Sequence, residues 1–478
     1  MHPTETHENN YFSDFELFVV NEPSEKMVPL FENKASNVQR EQLEVFKLLE
    51  RNAPFVMAGS FSNQVHFQNA YQTPVQRWFP YREGYSIRLV NAFIKELNIT
   101  GNTFDPFAGS GTTLLASRCN NLKSFGIDVN PISVLVAKVE NSRYSNSDVE
   151  ELISEIEKLK LILKSNELFQ TAFGLAAKVF NWEILQTLLQ FKFCINKIEV
   201  EKIRNICFVA WLAIIEEVSN IKKEGNGIKY RNRKRTSTGY INIDKETWEK
   251  DFWPEDKFGF VKTLFIKHLE MISEDIRSDF GNCEKQPQMF MGSCLEFDKK
   301  FQDEIQFSFF SPPYCNCFDY FEIHKVDLWL GDFVSDKEEF RLLRNSGFRS
   351  NTNSLNHKPI IYKNEHLERL IALFDSDKLW NTRIPSVVGG YFDDTHTLFN
   401  KLYEQTAKGG SVGIVVGNSA YSGVIIPSDV LVADIAREIG FKVKKIFVTR
   451  HLTTSSQQKR ELQILKNYLR ESIVLLEK

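Results

Sequence analysis

Two short segments hold residues whose types and order suit them to chemistry. The first is Asp105-Pro106-Phe107-Ala108-Gly109-Ser110-Gly111-Thr112-Thr113, which follows the strand-like stretch Asn102-Thr103-Phe104. Gly109 and Gly111 carry no Cβ, so the backbone can approach a ligand closely and adopt φ > 0. Their spacing is not GxGxxG, and no Lys-Ser/Thr pair follows as in a phosphate loop. An adenosine ligand without phosphates is therefore favoured over a dinucleotide or ATP. Asp128, at the end of the next apolar run, suits a ribose diol. The second segment, Ser311-Pro312-Pro313-Tyr314, closes the apolar run from Ile305 to Phe310. Its prolines fix φ and remove N–H donors, which leaves a carbonyl beside the Ser311 hydroxyl without a local partner. Those two acceptors can take both hydrogens of an –NH₂ group and turn its lone pair toward an electrophile. Tyr314 adds a face on which a flipped-out base can stack. Taken singly, either segment also reads as a plain turn; the pair together argues against that.

The elements that must position these segments follow from periodicity and punctuation. Residues 102–107, 123–128, 288–292, 305–311, 412–416, 441–449 and 471–476 read as strands. Helices are expected at 87–97 (capped by Ser86), 111–120, 131–141 (capped by Asn130, with Pro131 in the first turn), 319–330, 395–407, 429–439 and 460–470. Alternation of this kind predicts an α/β fold with a parallel sheet and flanking helices. The alternation breaks between 145 and 285, where long helices such as 150–164 and 203–218 predominate. We therefore expect a catalytic domain formed by 77–144 and 286–478, a helical insertion at 145–285 and an N-terminal extension at 1–76. Residues 333–385 read as irregular.

Composition bounds the possibilities. The chain has 478 residues, 42% hydrophobic and 25% charged, enough for a large core. Its formal net charge is −3, so a nucleic-acid surface must be local. The seven cysteines show no CxxC pair and read as reduced thiols of a cytoplasmic protein. No apolar run is long enough for a membrane span, and the first residues lack a signal-peptide core.

The two segments together resemble the cofactor and catalytic motifs of the S-adenosylmethionine-dependent DNA amino-methyltransferases, which methylate cytosine N4 or adenine N6. The SPPY form is the one associated with cytosine N4. Tyr81-Arg82-Glu83-Gly84-Tyr85-Ser86 resembles the segment that precedes the glycine loop there and helps hold the methionine end of the cofactor. Gly292-Ser293 stands where the family often has Gly-Asp, and Arg450 to Gln458 resembles a polar loop near the end. The resemblance covers about 77–144 and 286–478. It implies a Rossmann-like class I methyltransferase sheet and S-adenosylmethionine as cofactor. It also implies double-stranded DNA as substrate and a restriction–modification or defence setting, with a cognate endonuclease as a partner. Tyr81, Glu83, Ser86, Asp105, Pro106, Phe107, Ala108, Gly109, Gly111, Thr112, Thr113, Asp128 and Ser293 are the implied cofactor residues. Ser311, Pro312, Pro313 and Tyr314 are the implied base-holding residues, and no metal is required. Structured RNA as substrate, or a subunit that binds DNA without methylating it, are the rival readings.

The densest basic stretch is Lys222 to Arg235. Gly225 and Gly227 make it read as a flexible loop that brings Lys222, Lys223, Lys229, Arg231, Arg233, Lys234 and Arg235 to phosphates. A solvated charge run fits the same residues. The insertion 145–285 is the first choice for target recognition and 333–385 the second. His324 reads as a packed helix residue.

Overall fold

The computed structural model describes residues 35–65, 73–224, 227–237, 239–278, 285–356, 358–453 and 461–478. In chain order the strands are β1 (Phe55–Met57), β2 (Thr103–Asp105), β3 (Ser124–Asp128), β4 (Ile221–Glu224), β5 (Gly227–Tyr230), β6 (Arg233–Thr236) and β7 (Gly239–Asn242). They continue with β8 (Gln288–Met291), β9 (Ile305–Phe310), β10 (Thr406–Gly417), β11 (Ser419–Tyr421), β12 (Val424–Ile426), β13 (Lys442–His451) and β14 (Arg470–Glu477).

One large sheet has the order β1-β13-β14-β10-β9-β2-β3-β8. β14 is antiparallel to both its neighbours, and the remaining pairs are parallel. Strand order reverses between β2 and β9: β3 and β8 extend one way, β10 the other. This is the largely parallel α/β sheet expected from the alternation, in the Rossmann-like form that the resemblance implies, with β1 added at one edge. In a sheet of this kind ligands bind beyond the carboxyl ends of the strands at the reversal point, and both chemical motifs emerge there, after β2 and after β9.

The sheet forms where it does because its central strands are apolar on both faces. β9 is buried at every position except the half-buried Gln306, as a parallel strand covered by helices on both sides requires. Successive residues enter opposite layers. Val415 joins one hydrophobic cluster, while Ile414 and Val416 join the other. Leu152, Leu188, Val209 and Phe265, from helices Asn146–Lys160, Trp182–Ile195, Glu201–Ile214 and Lys257–Arg277, belong to the same cluster as Phe93 and Val136 of the sheet-covering helices. The helical segment is thus continuous with the core.

Several local expectations match. Helix Ile87–Glu96 starts at Ser86, whose side chain accepts from Arg88 N at 3.2 Å. Helix Pro131–Asn141 starts at Asn130, which accepts from Ile132 N at 3.0 Å. Others are corrected. The single helix expected at 319–330 is two, Tyr320–Ile323 and Lys325–Leu330, broken at His324. Its ring stacks on Tyr81 and Phe79. No long helix occupies 461–470; a short 3-10 turn, Lys466–Tyr468, precedes β14, and residue 460 lies outside the described residues, as does the part of the polar loop from 454 to 458. The stretch 333–385 holds helices Lys337–Asn345 and Glu365–Ala372. The helix expected at 395–407 begins earlier, at Ile384. The N-terminal extension contributes helix Asn37–Glu50, with a Ser36–Gln39 capping box, and β1. Among the described residues no helix is long and apolar enough to cross a membrane.

Candidate active site

The glycine loop bends sharply between β2 and helix Thr112–Cys119. Gly109 has φ +51° and Gly111 has φ +86°. A Cβ on Gly109 would lie 2.9 Å from Tyr81 Cε1, and one on Gly111 would lie 2.6 Å from Asn141 Nδ2. Both positions therefore demand glycine for conformation and for space. Asp128, at the end of β3, accepts from Gly109 N at 2.9 Å and from Asn130 N at 2.8 Å. The loop and the second strand are thereby joined through one carboxylate. Burial pushes that carboxyl above its ordinary range, and the two backbone donors oppose the shift.

Asp105 is 1% exposed. Its Oδ1 accepts from Phe107 N at 2.9 Å and its Oδ2 from the Tyr85 hydroxyl at 2.8 Å. The Tyr85 hydroxyl also meets Thr113 Oγ1 at 2.6 Å, and the Thr113 hydroxyl donates to Phe309 O at 2.9 Å. This buried chain locks the glycine loop onto β9, the strand that carries the second motif. Burial, opposed by these donors, raises the Asp105 carboxyl to about 7.

A single cleft gathers most of the expected cofactor residues. Tyr81, Glu83, Pro106, Phe107, Ala108, Gly109, Thr112, Asp128 and Ser293 line it, together with Ser311 and Pro313. Ser86, Asp105, Gly111 and Thr113 are not on its surface: they cap, brace or turn the elements that are. Ser293 caps a 3-10 turn by accepting from Leu295 N at 3.3 Å. The opposite wall is Gly347, Phe348, Ser350, Asn351 and Ser354, within the stretch 333–385 that is the second choice for target recognition. Phe348 meets Phe107 edge-on at 5.3 Å. The neighbouring Arg349 is pinned by a buried double ion pair to Asp393 and Asp394. Tyr85 and Tyr320 also line the cleft; Tyr85 lies within the segment Tyr81–Ser86, whereas Tyr320 carries no sequence signal.

A second, more open cleft shares Glu83, Gly84, Tyr85, Ser311 and Tyr320 with the first. It adds Tyr314, Asn316, Phe318, Arg450, Glu471, Lys222 and Lys223. The first cleft is walled by the glycine loop and apolar rings, the second by charged groups. Ser311 stands where they meet. Its hydroxyl donates to Val415 O at 3.2 Å, so the lone pairs of its oxygen remain to accept. The Tyr314 hydroxyl donates to Glu471 Oε1 at 2.7 Å.

The basic stretch is not one loop. β4 pairs with β5 and β6 with β7, as two antiparallel hairpins. Gly225 lies outside the described residues. Lys222, Lys229, Arg233 and Lys234 are exposed. Arg233 lies over the Tyr240 ring at 4.3 Å. Lys223 contradicts the expectation: its side chain is 9% exposed and forms a buried ion pair with Asp327. Alternation along β4 turns Lys222 and Glu224 outward and Lys223 inward. Arg231 is half-buried, donating to Ser219 O at 3.1 Å and Glu216 O at 3.2 Å. Arg235 pairs by its backbone with Tyr240.

Comparison with known proteins adds an independent line. No family model matches the sequence. The chain is 27% identical over 407 residues to the type II methyltransferase M.AvaI of Nostoc sp., covering 80% of this chain and 82% of that protein. It is 28% identical over 452 residues to the type II methyltransferase M.BsoBI of Geobacillus stearothermophilus, covering 87% of each. The type II methyltransferase M.MvaI of Kocuria varians is 21% identical over 350 residues, 70% of this chain and 74% of that one. Among solved structures, TrmN from Thermus thermophilus aligns with a TM-score of 0.26 and 8% identity, over 82% of this chain and 48% of that one. The resemblance to restriction–modification methyltransferases thus extends over most of the chain, well beyond the two motifs.

Proposed function

We propose that this chain transfers a methyl group from S-adenosylmethionine to the exocyclic amine of a base flipped out of double-stranded DNA, cytosine N4 ahead of adenine N6. The observation that carries the reading is Ser311, which lines both clefts at their junction. An amine held there faces the glycine-loop cleft on one side and its own base, in the charged cleft, on the other.

The residues fit the cofactor. Gly109 brings the turn to the cleft surface beneath the Tyr81 ring, Asp128 supplies an acceptor for a ribose diol, and Phe107 and Phe348 offer apolar faces to an adenine. S-adenosylmethionine supplies the electrophilic methyl group when bound. The protein's part is orientation. The Ser311 oxygen and the Pro312 carbonyl accept the two amine hydrogens, and Tyr314 stacks on the base. Positioning of this kind can supply much of a rate without a strong base.

In this reading the hairpins β4–β5 and β6–β7 contact DNA phosphates through Lys222, Lys229, Arg233 and Lys234, and the helical insertion 145–285 reads the target. Cytosine N4 is preferred because the catalytic motif begins with serine, the form associated with that base. A cognate restriction endonuclease is the partner such a methylase protects against, and the setting is cytoplasmic.

The test is single-molecule sequencing of the genome of a methylation-free host that expresses this protein. Methyl-N4 cytosine in one short motif is the expected result. Methyl-N6 adenine would overturn the choice of base, and a protein that shifts DNA yet leaves no mark on it would overturn the enzymatic reading.

A further inference from the structure

Glu471 is 2% exposed in β14, and nothing in the methyl-transfer scheme above uses its carboxylate. Its Oε1 accepts from the Tyr314 hydroxyl at 2.7 Å, and its Oε2 accepts from Arg450 Nε at 2.6 Å. The sheet register explains the meeting. Glu471 pairs with Gly417 of β10 on one side and with Arg450 of β13 on the other. Gly417 supports the Tyr314 ring itself, since a Cβ there would lie 2.7 Å from Tyr314 Cε2. One rung across three strands therefore holds Tyr314 at its ring and at its hydroxyl.

A buried carboxylate is a costly choice for a sheet interior, where a packed apolar side chain serves stability as well or better. Here both oxygens are engaged, one by a neutral hydroxyl and one by a guanidinium whose side chain is 36% exposed at the second cleft. The Arg450 guanidinium and the Tyr314 hydroxyl thus converge on the two oxygens of one carboxyl group, which holds that group in place from both sides. Burial pushes the Tyr314 hydroxyl well above its ordinary value, so it keeps its proton and remains a donor.

We infer that Glu471, with Arg450 behind it, is a positioning residue for the target base: it fixes the Tyr314 ring in the orientation on which the flipped base stacks. The inference rests on the methyl-transfer reading, in which Tyr314 meets that base. Glu471 itself touches no reacting atom; it acts through Tyr314.

The experiment compares wild type, Tyr314→Phe, Glu471→Leu, Glu471→Gln and the double variant Tyr314→Phe/Glu471→Leu on a duplex carrying the mapped recognition sequence. Single-turnover methylation is measured, together with the fluorescence of 2-aminopurine placed at the target position and the affinity for S-adenosylmethionine. Loss of a hydrogen bond to a charged group should slow single turnover by about tenfold to a hundredfold in Tyr314→Phe and in Glu471→Leu. It should also alter the 2-aminopurine signal. Cofactor affinity should stay within about twofold, because the shared partner lies in the other cleft. The double variant should be no slower than the slower single one, since both remove the same bond. Glu471→Gln retains an acceptor and should recover much of the rate.

Wild-type turnover and fluorescence in Tyr314→Phe and Glu471→Leu would overturn the inference, as would losses that multiply in the double variant. If Glu471→Leu fails to fold, Tyr314→Phe and Glu471→Gln decide the matter. If wild type itself leaves no methyl group on any duplex, the methyl-transfer reading has failed, and this inference with it.

Discussion

Lys223 and Asp327 form a buried ion pair that fastens hairpin strand β4 to the short helix Lys325–Leu330, which follows the Ser311–Tyr314 segment. Their side chains are 9% and 1% exposed. Asp327 Oδ2 also lies 3.3 Å from His324 Nδ1, and the His324 ring stacks on Tyr81, 5.8 Å between centroids. Tyr81 in turn packs over Gly109. A residue of hairpin β4–β5 is thus linked by packed contacts to the glycine loop.

Lys223→Met should therefore act on stability and spare the electrostatics of DNA binding. Burial works against ionisation of Asp327, and the Lys223 ammonium and His324 outweigh it, holding the carboxyl below its ordinary range. Removing the ammonium leaves a buried carboxylate underpaired, at a cost of about 3 kcal/mol. Urea denaturation at neutral pH should show a lower midpoint, and the salt dependence of DNA binding should keep its slope. A Lys223→Met protein of wild-type stability would show that the ion pair contributes little.

Asp105 gives a pH signature of opposite sign. Its carboxyl stands at about 7 in the folded protein against an ordinary 3.8, because burial outweighs its donors. The folded state thus binds this proton more tightly than the unfolded chain. Its contribution is full below about pH 4, falls as pH rises from about 4 to about 7, and is then level. About three pH units correspond to on the order of 4 kcal/mol. In Asp105→Asn the amide oxygen can accept from Phe107 N while the Tyr85 hydroxyl turns its proton to Thr113 Oγ1. The variant should lose that slope. Thermal melts from about pH 4 to about pH 8 check it: parallel curves for the two proteins would refute the assignment.

How much of this was legible beforehand depends on how local each feature is. Gly109, Gly111, Asp128 and the Ser311–Tyr314 segment announced themselves because a tight turn and a strand end are written in adjacent residues. The caps at Ser86 and Asn130 were legible for the same reason. Lys223 cannot be told from its neighbours in sequence because a run of cations looks uniform, whereas strand alternation and an aspartate 104 residues away decide which one is buried. Tyr320, Phe348 and Glu471 line the clefts through strand register and long-range packing, which no local pattern encodes. The hairpins escaped notice because charged strands lack the apolar alternation by which strands are recognised.

Gly109→Ala should weaken cofactor binding more than folding. The position has φ +51°, and the new Cβ would lie 2.9 Å from Tyr81 Cε1. Backbone strain at such a site costs about 1 kcal/mol. Displacing the Tyr81 ring into the cleft costs further, so S-adenosylmethionine affinity should fall by at least about tenfold. Calorimetric titration reads the affinity directly, and unchanged binding would show that the loop does not approach the ligand.

The exposed cations of the hairpins make a separate test. Lys222, Lys229, Arg233 and Lys234 face solvent. If they contact phosphates, each substitution by alanine should lower the slope of log affinity against log salt by about 1, nearly independently of DNA sequence. Single-turnover rates at saturating DNA should hold. A salt slope that survives all four substitutions would place the DNA elsewhere.

Ser311→Ala addresses the chemistry most directly. The Ser311 hydroxyl gives its proton to Val415 O at 3.2 Å, so what it presents to the cleft junction is an acceptor. Alanine removes that acceptor and leaves the Pro312 carbonyl as the remaining one. The amine is then held by one hydrogen bond in place of two, and its lone pair is less firmly aimed. Such a loss should slow single turnover by about tenfold to a hundredfold. The glycine loop, Asp128 and Phe107 are untouched, so cofactor affinity should not move. Val415 O loses one donor at a half-buried position, which should cost about 1 kcal/mol of stability. The measurement is a single-turnover assay beside a cofactor titration: a full rate would remove Ser311 from the mechanism, and a parallel loss of cofactor affinity would mean that the residue shapes the first cleft instead.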